Sequence, residues 1–192
     1  MNIEIQKLSI DLLDDWLYYF DHVAFSDNNG WSGCYCMHYH WSDELENKWR
    51  TTGKADNRDC AVKLIQEGIL QGYLAYYDGN AIGWCNANDK DRYDTVLFKF
   101  HWEDSEKDKK IKSIVCFNVA PDMRNKGIAS MLLKKVCEDA LHEKYEYVEA
   151  YPFNNGDNKN YHGSISMYEK NGFKVYGNID NYSLVRRYLQ LH

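Results

Sequence analysis

Residues 116–133 read CFNVAPDMRNKGIASMLL. They continue an apolar run, KSIVCFNVA at 112–120, whose unbroken character marks a strand covered on both faces. Pro121-Asp122 turns the chain, and a helical pattern opens at Ile128. From there Ile128, Met131, Leu132, Val136, Ala140 and Leu141 share one face, and Lys134, Lys135, Glu138 and Asp139 the other. Between strand and helix lies Arg124-Asn125-Lys126-Gly127-Ile128-Ala129-Ser130. The first turn of a helix offers unpaired N–H groups and a partial positive charge, so it attracts anions. Small residues at 127, 129 and 130 let a phosphate approach the backbone, and Arg124 and Lys126 add charge. The spacing fits neither a Walker loop nor the three-glycine dinucleotide fingerprint. Taken alone, the loop also reads as a simple strand-to-helix turn with two solvated cations.

Working outward, YVEAYPF at 147–153 reads as a second strand and SISMYEKNG at 164–172 as a short helix stopped by Asn171-Gly172. FKVYG (173–177) and SLVRRYLQ (183–190) are closing strands. Toward the N-terminus, IEIQKL at 3–8 alternates as a strand. A helix beginning near Ser9 carries Leu12, Leu13, Trp16, Leu17, Phe20, Val23 and Ala24 inward. Residues 26–41 read as a loop, 56–67 as a helix with Gly68 as its stop, and 70–87 as a hairpin turning at Asp78-Gly79-Asn80. The polar stretch 88–110 reads as a solvated connection. The order strand, helix, strand, helix, strand makes this an α/β protein with a parallel pair at its centre.

At 192 residues the chain is expected to form one domain over 1–192 with a core large enough to fold without disulfides or metal. The net charge, 23 − 29 = −6, argues against a nucleic-acid partner and suits a cationic substrate such as an amine. No stretch approaches the ~20 apolar residues of a membrane span. The acidic N-terminus is unlike a signal peptide, so the six cysteines read as reduced thiols of a cytoplasmic protein.

The R-x-x-G-x-A loop, followed about forty residues on by Tyr168-Glu169-Lys170-Asn171-Gly172-Phe173, resembles the GNAT superfamily of acetyl-CoA-dependent N-acetyltransferases. The likeness is strongest over 112–175, and HGSISMYEKNGF is similar to a bacterial GNAT branch with poorly defined substrates. It implies an α+β, GNAT-type mixed sheet, mostly antiparallel, with a central parallel strand pair splayed at the cofactor cleft and helices flanking it. It further implies an acyltransferase that moves acetyl from acetyl-CoA to a small or peptidic amine by direct attack in a ternary complex, with no metal, no nucleic acid and no membrane, and with room for a homodimer. On this pattern pantetheine pairs along Phe117, Asn118 and Val119, a backbone N–H near Val119 holds the oxyanion, and the pyrophosphate rests on the N–H groups of Arg124, Asn125, Lys126, Gly127, Ile128, Ala129 and Ser130. Tyr168 matches the tyrosine that protonates the departing thiolate. Two positions depart from the pattern: Tyr161 stands where an Asn often bonds the pantetheine, and Ser113 where a Glu often serves as base. His101, Glu149 and His162 are the alternative bases near in sequence, beside water or a neutral amine. The missing carboxylate keeps open a catalytically inactive acyl-CoA-binding or sensor module.

In WSGCYCMHYHW (31–41), Cys34, Cys36, His38 and His40 invite a zinc reading. On a strand four alternate residues span ~20 Å, and on a helix they form two pairs about 200° apart, so neither surrounds one ion. The segment, part of an acceptor-side elaboration at 26–69, reads as an aromatic satellite core or as a wall of the acceptor pocket.

Overall fold

The computed structural model describes residues 1–27, 30–40, 54–93, 108–154 and 161–189. Seven strands, β1 (Glu4–Lys7), β2 (Gly72–Tyr77), β3 (Asn80–Asp89), β4 (Ile111–Val119), β5 (Tyr147–Ala150), β6 (Lys174–Ile179) and β7 (Tyr182–Tyr188), form one sheet in the order β1-β2-β3-β4-β5-β7-β6. Neighbours are antiparallel apart from the parallel pair β4–β5. The helices are α1 (Leu13–Tyr18), α2 (Lys54–Gln66), α3 (Ile128–His142) and α4 (Ile165–Lys170). The mixed, mostly antiparallel α/β architecture with its splayed central pair is thus the one expected.

The splay has a local cause. β4 and β5 are in register from Ile111↔Tyr147 to Ile114↔Ala150, where β5 ends while β4 runs on to Val119. At the same point Asn86 faces Cys116 and Ala87 faces Ile114, so Val115 is an extra residue that bulges β4 away from β3. Bulges bend a strand and raise its twist. The far end of β4 therefore keeps β3 on one edge and opens its other edge into a gap.

Both faces of β4 are covered, as its sequence implied. Leu132, Leu133, Val136, Cys137 and Ala140 of α3 are buried against one face in the main core. Val115 packs on the other with Tyr39, Tyr93, Tyr151 and Leu184. Fully burying one such leucine contributes roughly 2 kcal/mol.

Three expectations change. The N-terminal helix is not uniform: a 3-10 turn at Ile10–Leu12 precedes α1, and Tyr19–Val23 continue it as a wider π turn. Across these turns Trp16, Tyr19, Phe20 and Ala24 are all buried, with Tyr19 donating to Asn118 Oδ1 at 2.5 Å. The connection after β3 is not wholly solvated, since Lys90 and Tyr93 are buried; residues 94–107 lie outside the described residues. Finally, β5 stops at Ala150, and Phe153 contributes a single bridge to Tyr182.

Candidate active site

A cavity of about 640 Å³ opens where the end of β4 meets the start of α3. Nine of the ten cofactor-side residues expected from sequence line it; the exception is Lys126, whose Nζ rests 3.7 Å from Met123 Sδ. The chain reaches α3 through a 3-10 turn at Pro121–Met123 and then two left-handed residues, Asn125 (φ 61°) and Gly127 (φ 81°). A Cβ on Gly127 would meet nothing within 4 Å, so it is the backbone conformation and not space that requires glycine there. Gly127 is the N-cap, and the bond from Met131 N–H to its carbonyl, 3.0 Å, is the first of the helix. The N–H groups of Ile128, Ala129 and Ser130 therefore precede the helical ladder, and all three residues line the cavity.

Arg124 is already engaged. Its Nε donates to Val119 O at 3.1 Å, and its guanidinium forms a two-point pair with Asp27, another lining residue. The hydrogen bond from Arg124 holds the Asp27 carboxyl below its ordinary range. On the open edge of β4, Phe117 N–H donates to Tyr161 O at 2.5 Å. Strand alternation turns Val119 N–H to the same edge, toward the gap.

Tyr168 stands on α4, whose N-cap Ser164 accepts Met167 N–H at 3.2 Å. Its ring is fully buried between Phe117 and Phe173, and its hydroxyl donates to His162 O at 2.8 Å. Burial pushes the phenol well above its usual value, so it stays protonated. The tyrosine lies behind Gly163, a cavity-lining residue with φ 77° whose added Cβ would fall 3.1 Å from the ring.

A second cavity, also about 640 Å³, shares Phe25, Trp31, Phe117, Asn118 and Tyr161 with the first. The Cys/His segment forms its far wall through Cys34, Cys36, His38 and Tyr39. Burial pushes the Cys34 thiol up to about 12. Cys116 is raised by its hydrogen bond with Cys36 and by burial. Cys36 Sγ also accepts Trp84 Nε1–H at 3.1 Å, and Tyr39 OH lies 3.0 Å from His162 Nε2. Among the described residues no three His, Cys, Asp or Glu side chains converge as metal ligands.

The model of the acetyltransferase (GNAT) family matches residues 34–173. The chain belongs to that family. Acetyl transfer is the reaction that names it, and acetyl-CoA is its cosubstrate. Among solved structures the chain is similar to PaiA N-acetyltransferase from Thermoplasma acidophilum in complex with coenzyme A, at 19% identity and TM-score 0.55, over 98% of this chain and 99% of that one. It is similar to an N-acetyltransferase from Staphylococcus aureus Mu50 at 16% identity and TM-score 0.56, over 99% and 100% of the two chains. A third likeness is to YncA from Salmonella typhimurium with its cofactor acetyl-CoA, at 14% identity and TM-score 0.55, over 99% and 95%. None of the curated proteins matches it.

Within this GNAT fold the described residues weighed as bases, Glu149 and His162, are committed elsewhere, and so is the Ser113 hydroxyl. Ser113 is buried with Oγ 2.9 Å from Tyr151 OH. Glu149 takes Lys90 Nζ at 2.6 Å, Arg186 Nε at 2.7 Å and Tyr151 OH at 2.7 Å. His162 packs among Phe153, Tyr161 and Tyr182, and His101 lies outside the described residues. Trp31 belongs to the segment read from sequence as a satellite core or acceptor wall, whereas Phe25 and Asp27 were not singled out, because nothing in a loop's spacing announces which distant helix start it will meet.

Proposed function

We propose that this protein is an acetyl-CoA-dependent N-acetyltransferase that moves acetyl directly to a primary amine. The observation that carries the reading is the meeting of two cavities at Phe117 and Asn118, on the open edge of β4. One of them ends on the free N–H groups that begin α3. Those groups, the left-handed turn at Gly127 and the small side chains at 129 and 130 fit a pyrophosphate. Arg124 exchanges Asp27 for phosphate, and Lys126 supplies charge from outside the cavity.

In this reading the acyl arm lies along Phe117, Asn118 and Val119, and Val119 N–H faces the developing oxyanion, where one such donor contributes about 3 kcal/mol. The amine nitrogen bonds to the acetyl carbon, the C–S bond breaks, and the balance moves one proton from nitrogen to sulfur. Tyr168 relays that proton: its hydroxyl, protonated and one glycine's thickness from the cavity, gives one to sulfur and takes back the one that the attacking nitrogen releases. Its hydroxyl must leave His162 O to act.

Thiol release from acetyl-CoA with a panel of amines tests the activity, and calorimetry tests the site. Arg124→Ala with Lys126→Ala should weaken acetyl-CoA at least tenfold, about 1.4 kcal/mol. Equal affinity in the double variant would sink the assignment. A second reading, an inactive acyl-CoA-binding module, draws support from the buried Ser113–Tyr151 pair at the position where the GNAT pattern often has a Glu. It predicts tight acetyl-CoA binding with no thiol release for any amine.

A further inference from the structure

We propose that the free protein holds its acetyl-CoA groove closed with two of its own groups, a carboxylate and a peptide carbonyl, and that docking of the pyrophosphate releases both. That the groove takes acetyl-CoA rests on the function proposed above; that it is closed from within does not.

The first group is the side chain of Asp27. It takes the Arg124 guanidinium at two points, Nη1 to Oδ2 and Nη2 to Oδ1, the second at 3.2 Å. A carboxylate and a phosphate offer the same paired oxygens to that planar fork. Both residues line the first cavity, beside the N–H groups that open α3. Arg124 is also tied through Nε to Val119 O at 3.1 Å, so Asp27 meets a guanidinium already set in place. The hydrogen bond from Arg124 holds the Asp27 carboxyl below its ordinary range, which keeps this group an anion at neutral pH.

The second group is the backbone of Tyr161. Its carbonyl accepts Phe117 N–H at 2.5 Å on the open edge of β4, where the acyl arm pairs in the reading above. This contact lies past Ile114↔Ala150, beyond which β5 no longer pairs with β4. A peptide carbonyl is the acceptor that an amide of pantetheine would bring to the same N–H.

The two contacts are joined by rings. Trp31, four residues beyond Asp27, sets its ring 5.1 Å from that of Tyr161, and both side chains line the cavity. The carboxylate and the carbonyl therefore close the groove from its two ends through one stacked pair. The closure is weak by design of its parts: the Arg124 and Asp27 side chains are 43% and 41% exposed, and exposed ion pairs hold loosely. A pyrophosphate carries more charge than one carboxylate and also gains the N–H groups of α3, so it wins Arg124. Asp27 then leaves with Trp31, the stack with Tyr161 parts, and the Phe117 N–H is freed for the acyl arm. The phosphate end docks first and the arm second. A groove that must open first binds more weakly by the fraction of time it is open.

Calorimetry with acetyl-CoA compares the parent with Asp27→Asn, and amide hydrogen exchange by NMR follows Phe117 with and without ADP, which carries a pyrophosphate and no acyl arm. Asp27→Asn keeps the shape of an exposed side chain and loses its charge, so acetyl-CoA should bind about fivefold tighter. Saturating ADP should speed exchange at Phe117 about tenfold, although it does not reach that edge, while the β4 amides in register with β5 hold their rates. Trp31→Ala should speed exchange at Phe117 with no nucleotide added. Tight acetyl-CoA binding in the parent with no gain in Asp27→Asn overturns the closed groove and leaves the acetyl-CoA reading intact. ADP that fails to bind, or that binds without faster exchange at Phe117, overturns the link between the two contacts. Acetyl-CoA binding to neither protein removes the reading and the closed groove together.

Discussion

Tyr168 poses the sharpest question about a single side chain, because a buried tyrosine with a satisfied hydroxyl also serves as plain packing. Tyr168→Phe separates the two roles. The ring contacts with Phe117 and Phe173 persist, and the lost bond to His162 O costs about 1 kcal/mol of stability. If the hydroxyl delivers the proton to sulfur, kcat falls 10²–10⁴-fold, roughly the reach of general acid catalysis, with acetyl-CoA affinity unchanged. Turnover within twofold of the parent, with chemistry limiting, would assign the proton to solvent or to the amine. The thiols offer a second residue-scale outcome. Cys60 is exposed, whereas Cys36, Cys85 and Cys137 are buried, and burial raises Cys85 and Cys137. Iodoacetamide at neutral pH should therefore label Cys60 first, by mass spectrometry of the folded protein; early labelling of Cys85 would show that the core opens. The loop residues Arg124 to Ser130 were legible because their chemistry depends on neighbours in sequence. Asp27 was not, since its partner Arg124 is 97 residues away and their pairing exists only in the packed state.

Elements were legible where one period held over their length. α3 follows its apolar stripe, and the β2–β3 hairpin turns at Asp78 and Gly79, both with positive φ (48° and 75°), as the Asp-Gly pair demands. The N-terminal helix was legible as a buried stripe but not in its pitch. Trp16, Tyr19 and Phe20 hold ordinary helical spacing, and nothing in that spacing announces the 3-10 turn before α1 or the wide π turn after it. What secures that wide turn is Asp21. It accepts from Tyr35 OH and pairs with Arg58 at 3.2 Å, joining the turn to the Cys/His segment and to α2. Burial raises its carboxyl, but the hydrogen bonds from Tyr35 and Arg58 outweigh that and hold it below the ordinary range. A carboxyl depressed by folding stabilises above its unfolded pKa, and the gain disappears as pH falls through the folded one. Asp21→Asn should thus lower stability by about 1 kcal/mol at neutral pH, roughly 3 °C in Tm, with the gap closing below about pH 4. Thermal melts of both proteins at neutral and acid pH measure it; a constant gap would mean that the charge plays no part.

For the whole molecule the weak place is the gap that carries the candidate site. The sheet's two halves, β1–β4 and β5–β7, are hydrogen-bonded to each other through the short register Ile111–Ile114 with Tyr147–Ala150. The strand order with β7 between β5 and β6 was not legible in the sequence, since periodicity does not say which edge a closing strand takes. Glu149 bridges the halves: it lies on β5 and holds Lys90, which follows β3, and Arg186 on β7, with all three buried. Removing a carboxylate that two buried cations share costs about 3–5 kcal/mol. Glu149→Gln, of nearly equal shape, should therefore drop Tm by roughly 10 °C for a chain of this size. If Glu149 acts through the architecture, kcat measured well below that melt stays within about threefold of the parent, far short of the loss of an acid or base. A variant that melts like the parent but loses kcat a hundredfold or more would make Glu149 the base, and the joint would have to be held by the parallel register and the core beneath it.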